Sequence, residues 1–210
     1  MKKMLFCIIC LLVSFCMMFV GCNSTPKANN AVLITVNGVA IYEDQISARI
    51  KINEIRNNAF NVYISQTFSN ESERNAQLQK VLQATDEQGV KYELIKAEVV
   101  RQYLSKTDSV ISFEQTKEMT NNEFKLLKED ATQATFYNNL KMAIESYGIN
   151  EDIYMEMSYS LGYDFYNINK AKSVFKGSAN YFENNEKSLD EQFNEFIDNL
   201  VKEAAVEISK

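Results

Sequence analysis

Val32 to Val36 is a run of mostly β-branched residues, Asn37-Gly38 follows, and Val39-Ala40-Ile41 resumes the apolar pattern. Asn-Gly between two such runs predicts a hairpin, because both residues tolerate positive φ. From Glu43 the period lengthens, and Ile46, Ile50, Phe60 and Ile64 keep one helical face apolar. Tyr92 to Leu104 predicts a second helix, with Ile95, Val99 and Tyr103 on one stripe and Val100 and Leu104 beside it. Ser112 with Gln115 and Ser188 with Glu191 fit the capping box that starts a helix. Gly148 and Asn150 place one helix end at Tyr147 and the next start at Glu151, and Gly177 closes that helix. A terminal helix is expected from Leu189 to about Glu203, with Phe193, Phe196, Ile197 and Leu200 inward. Ala205 to Ile208 then alternates like a short strand that can pair with the hairpin. The expected fold is mainly α with a small β element: a bundle of long helices with a sheet joining the two chain ends.

The chain before Ala31 has a different character. Lys2 and Lys3 precede an apolar run from Met4 to Val20, and the run ends in Phe19-Val20-Gly21-Cys22. A small residue directly before a cysteine resembles the bacterial lipobox, with Phe19 where leucine is usual. This resemblance implies a signal peptide over residues 1–21 and a diacylglyceryl group on the Cys22 thiol. The alternative is an uncleaved N-terminal anchor helix. Both place the remainder of the chain outside the cytoplasm, in a bacterial cell envelope and beside a membrane. Residues 22–30 read as a lipidated, polar tether containing the chain's single proline, Pro26. Residues 31–210 form the expected helical domain.

Composition narrows the chemistry. All four cysteines lie in the first 22 residues and the chain has no histidine, which excludes a Cys/His metal site, a cysteine nucleophile in the body and a His-based triad. No cofactor or metal is expected. The net charge is −6, and loss of Lys2 and Lys3 takes it to −8. That balance argues against nucleic acid as a partner and holds the body off an anionic bilayer.

A lipoprotein signal, a strand leading to Val36-Asn37-Gly38, a second strand ending at Ile41 and an acidic helix start at Glu43-Asp44 together resemble the opening of the SurA/PrsA family of extracytoplasmic chaperones. Tyr42 stands where that family usually has threonine or serine. Tyr92 to Leu104 is similar to the family's helix with a central Leu-Ile pair, and Phe193 to Ile208 to its closing helix and strand. The resemblance spans most of residues 31–210, and its distinctive part is the Val-Asn-Gly opening. It implies a SurA N-terminal-like chaperone domain. The family's parvulin-type prolyl isomerase domain would fall at Lys176 to Lys187, a stretch far too short to hold one. The expected form is therefore non-enzymatic.

The densest aromatic stretch runs from Tyr147 to Tyr166. On a helix, Ile153, Met157, Leu161, Phe165 and Ile168 form one stripe, and Met155, Tyr159, Tyr163 and Tyr166 form another roughly opposite. The first is the expected core face. The second is the expected client-binding face, since thioethers and phenols adapt to varied partners; the alternative is a helix packed on both sides. The acidic clusters Glu71-Ser72-Glu73 and Glu151-Asp152 read as solvated helix starts. These features point to a membrane-tethered holdase for apolar segments of exported polypeptides, working without ATP. A structural or assembly lipoprotein with one dedicated envelope partner is the alternative.

Overall fold

The computed structural model describes residues 31–183 and 186–209; the expected signal peptide, Cys22 and the whole tether lie outside the described residues. Strands β1 (Val32–Val36) and β2 (Val39–Tyr42) form the expected hairpin. Asn37 and Gly38 take φ of 49° and 86°, the left-handed pair that a two-residue turn of this kind requires. Strand β3 (Val206–Ile208) pairs antiparallel with β1 on its other edge, so the sheet order is β2-β1-β3. The two ends of the domain thus meet in one sheet.

Asn37 does more than turn the chain. Its Oδ1 accepts from the Ala205 amide at 2.8 Å, its amide donates to the Ala205 carbonyl at 2.9 Å, and its Nδ2 donates to Gln102 Oε1 at 2.7 Å. Replacement by glycine keeps the turn but removes two side-chain bonds, so Asn37→Gly is expected to cost about 1–2 kcal/mol. Faster amide exchange confined to β3 and the turn would accompany that loss.

Among the described residues seven α-helices follow: α1 (Glu43–Thr67), α2 (Glu71–Val81), α3 (Glu87–Ser105), α4 (Phe113–Glu129), α5 (Ala134–Ser146), α6 (Glu151–Lys176) and α7 (Leu189–Glu203). The predicted capping boxes are present at Ser112/Gln115 and Ser188/Glu191. Asn150 caps α6 through the Ile153 amide, and Asp86 caps α3 through the Gly89 amide. Tyr42 precedes α1, and Gln45 satisfies the first turn instead by accepting from the Tyr42 amide at 2.8 Å. The segment between α6 and α7 is held by Gln192, which bonds the Phe182 amide and the carbonyls of Phe182 and Lys187.

Among the described residues, three apolar clusters hold the body together. Ile34, Val36, Ile41 and Ile46 pack on Val90, Leu94 and Val99 beneath the sheet. Ile52, Ile55 and Ala59 of α1 meet Leu140, Ala143 and Ile144 of α5 and Tyr154 of α6. Val100 and Leu104 of α3 meet Ala171 and Phe175 of α6 and Phe193 and Ile197 of α7. Helices α1, α3 and α6 each contribute to two of these clusters.

The expected core stripe of α6 is not the buried one. Ile153 and Phe165 are exposed, while Tyr154, Ser158, Asp164, Tyr166, Asn167, Ala171 and Phe175 are buried. The cause is a polar interior at this level of the bundle. Asp164 Oδ2 accepts from Arg49 at 2.5 Å, and Asp164 Oδ1 pairs with Arg101, which also holds Glu98 at 2.7 Å. Glu98 accepts from Gln102, which bonds the Val36 carbonyl and Asn37. Burial alone would lower the Arg101 pKa, but the carboxylates of Asp164 and Glu98 outweigh it and hold that pKa above its usual value. One connected network thus runs from the Asn-Gly turn through α3 to α6 and α1. Asn167 continues the polar line by bonding both the amide and the carbonyl of Ile111.

Helix α7 is fastened to α3 by Asp198, which accepts from Tyr92 Oη at 2.9 Å and Lys96 Nζ at 3.2 Å. These contacts, the Tyr92 hydrogen bond foremost, lower the Asp198 pKa, as Ser188 does for Glu191. A lowered folded-state pKa means that the stabilisation is complete above the ordinary carboxylate range. It fades as pH falls through the lowered values. Asp198→Asn is expected to lower stability at neutral pH and to make the acid limb of a circular-dichroism titration shallower.

Candidate functional site

Helix α5 packs mainly on α1, and α4 packs mainly on α6. Between these two pairs lies a cleft of about 440 Å³, within the range of about 300–1,000 Å³ common for ligand sites. Helix α4 presents Thr120, Glu123, Phe124 and Leu127 to it, and α6 presents Met155, Ser158, Gly162 and Tyr166. Both sets recur at spacings of three and four, so each helix offers one continuous face. Phe60 and Arg56 of α1 and Phe136 and Leu140 of α5 complete the wall. At its rim Leu126 is 62% and Phe165 54% exposed, which leaves large apolar groups open to an incoming partner.

The approach of α4 to α6 depends on Gly162. Helix α6 runs unbroken through this position, and a Cβ there would fall on Thr120 Oγ1. Thr120 is itself oriented by donating to the Thr116 carbonyl at 2.8 Å. The glycine is therefore a contact point between helices rather than a break.

Polar groups are interspersed among the apolar ones in the cleft. Tyr166 is 8% exposed, and its hydroxyl lies against the side chains of Glu123 and Thr120. Burial first, and then the nearby Glu123 carboxylate, push its pKa well above the usual phenol value, so it keeps its proton. Neither Arg56 nor Glu123 forms an ion pair among the described residues. No group of three or more acidic, cysteine or histidine side chains is placed to hold a metal ion among the described residues. The lining offers apolar contact, the two phenols of Tyr154 and Tyr166, the neutral polar groups of Thr120, Gln133 and Ser158, one cation and one carboxylate. That set suits holding a largely apolar body with little net charge.

The structure divides the four residues expected to bind clients. Met155 and Tyr166 line the cleft. Tyr159 instead donates to Asn121 Oδ1 at 2.8 Å, with the Lys117 ammonium 5.1 Å from its ring centre. Tyr163 packs edge-on to Phe113 at 5.6 Å and under the Arg101 guanidinium at 5.1 Å. Both are half-buried against neighbouring elements. Leu161 and Phe165, assigned by pattern to the core stripe, line the cleft, as do Arg56 and the α4 face. The spacing of Thr120, Glu123, Phe124 and Leu127 was the signal for the latter. No helix among the described residues is long and apolar enough to cross a membrane. In comparisons with known proteins, no family model, no curated protein and no solved structure matches the chain.

Proposed function

We propose that this protein is a membrane-tethered, extracytoplasmic holdase that buries apolar segments of exported polypeptides in the cleft between α1, α4, α5 and α6, without ATP or isomerase activity. The observation that carries the reading is the open apolar cleft with Leu126 and Phe165 exposed at its rim. Contacts of this kind are non-directional, so they accept many sequences and release them readily. The lipobox-like Phe19-Val20-Gly21-Cys22 supports lipid attachment at Cys22. Two acyl chains anchor stably where one holds only marginally. The Val-Asn-Gly opening and its resemblance to the SurA/PrsA family support the chaperone role. Equimolar protein is expected to suppress aggregation of an unfolded exported polypeptide. Folded protein that gives no suppression would remove the proposal. In-cell cross-linking adds a second reading: many partners agree with a holdase, and one dominant partner indicates a dedicated assembly role.

A further inference from the structure

Asn37-Gly38 is the chain's single Asn-Gly pair. Glycine shields its own amide nitrogen least of all residues, because it has no Cβ. Both turn residues are exposed, and a Cβ at Gly38 would meet no atom within 4 Å, so water reaches the turn. The ingredients of deamidation are therefore together: a side-chain amide, a following nitrogen with no side chain over it, and water.

The fold restrains that reaction. The Asn37 carboxamide is held at both ends: Oδ1 accepts from the Ala205 amide at 2.8 Å, and Nδ2 donates to Gln102 Oε1 at 2.7 Å. Deamidation closes a succinimide ring by bringing Cγ onto the Gly38 nitrogen, and that swing breaks both bonds. We propose that Asn37 is a deamidation site gated by the docking of Ala205 and β3. On release, the Gly38 nitrogen attacks Cγ and loses its proton, and the Cγ–Nδ2 bond breaks as ammonia departs. Water then opens the ring at Cγ to give aspartate, or at the main-chain carbonyl to give an isoaspartyl link.

The product cannot dock as the amide did. Gln102 Oε1 accepts from Asn37, while Gln102 Nε2 donates to the Val36 carbonyl at 3.1 Å and to Glu98 Oε1 at 2.8 Å. An aspartate at position 37 sets oxygen against oxygen, and turning the Gln102 amide over to serve it forfeits both other bonds. Glu98 also holds Arg101, so the change reaches the buried network from its outer end. An isoaspartyl link adds a methylene to the main chain and no longer fits a two-residue turn.

Peptide mass spectrometry of the full chain, kept in detergent and mildly alkaline buffer, tests this, with isoaspartate separated from aspartate by chromatography. In denaturant the Asn37-Gly38 peptide is expected to deamidate about a hundredfold faster than in the folded chain. Two variants release one end of the carboxamide each. Ala205→Pro removes the donor to Oδ1, and Ala204, at φ −72° and ψ 141°, already has the extended backbone that precedes proline. Gln102→Met removes the acceptor for Nδ2. Each, shown to be folded by circular dichroism, is expected to deamidate about fivefold faster, the contribution of one hydrogen bond. Asn37→Asp, which stands for the aspartyl product, is expected to lower Tm by about 3–6 °C. Where a variant does not fold, the denaturant comparison and Asn37→Asp still decide. No reaction at Asn37 even in denaturant, equal rates in folded and denatured chain, no acceleration in a folded variant, or an unchanged Tm in Asn37→Asp overturns the proposal.

Discussion

Asp164→Ala is expected to lower folding stability by about 3–5 kcal/mol, a collapse well beyond what an ordinary surface change produces. Asp164 is buried, and its two carboxylate oxygens face Arg49 and Arg101. Removing it leaves two guanidinium groups in the interior, one with no counter-ion and one with Glu98 alone. Alanine is the better helix former, so local propensity opposes the loss and cannot be its source. Asp164→Asn preserves the shape and one acceptor and is expected to cost less. Denaturant titration of the two variants checks both the size and the order of the effects. If alanine and asparagine are each within about 0.5 kcal/mol of wild type, the network has no such role.

Phe175→Ala is the second large loss, at about 3–5 kcal/mol. The ring is 1% exposed and sits among Tyr181, Phe193 and Phe196, with ring centres 5.0 to 6.1 Å away. It joins the end of α6 to α7, whose chain continues into β3. A cavity there weakens the closure of the sheet as well as the helix contact. Amide exchange is expected to accelerate first in α7 and β3, with the cleft half of α6 less affected. Uniform acceleration along the whole chain would argue against that division.

The features legible in the sequence are the local ones. The Asn37-Gly38 turn, the capping boxes at Ser112 and Ser188 and the end of α6 at Gly177 are decided by residues a few positions apart. The terminal helix was also legible, because its apolar face of Phe193, Phe196, Ile197 and Leu200 is strong and uninterrupted. The burial of α6 was not. Its interior positions include Ser158, Asp164 and Asn167, which periodicity assigns to solvent. What makes Asp164 an interior residue is Arg49, 115 positions earlier, and Arg101, 63 positions earlier. No local pattern encodes that pairing. The cleft was half legible for the same reason: Met155 and Tyr166 stood out, but its other walls come from α1, α4 and α5.

Site-specific photo-cross-linking reports whether unfolded chains enter this cleft. A benzophenone side chain at Phe165 on the rim, in the full chain, is compared with one at Asn199, which is exposed on α7. With an unfolded exported polypeptide added, strong cross-linking is expected from position 165, weak cross-linking from 199, and loss of the former in Leu161→Trp. Equal yields from both positions, or a yield at 165 that survives a filled cleft, would contradict it.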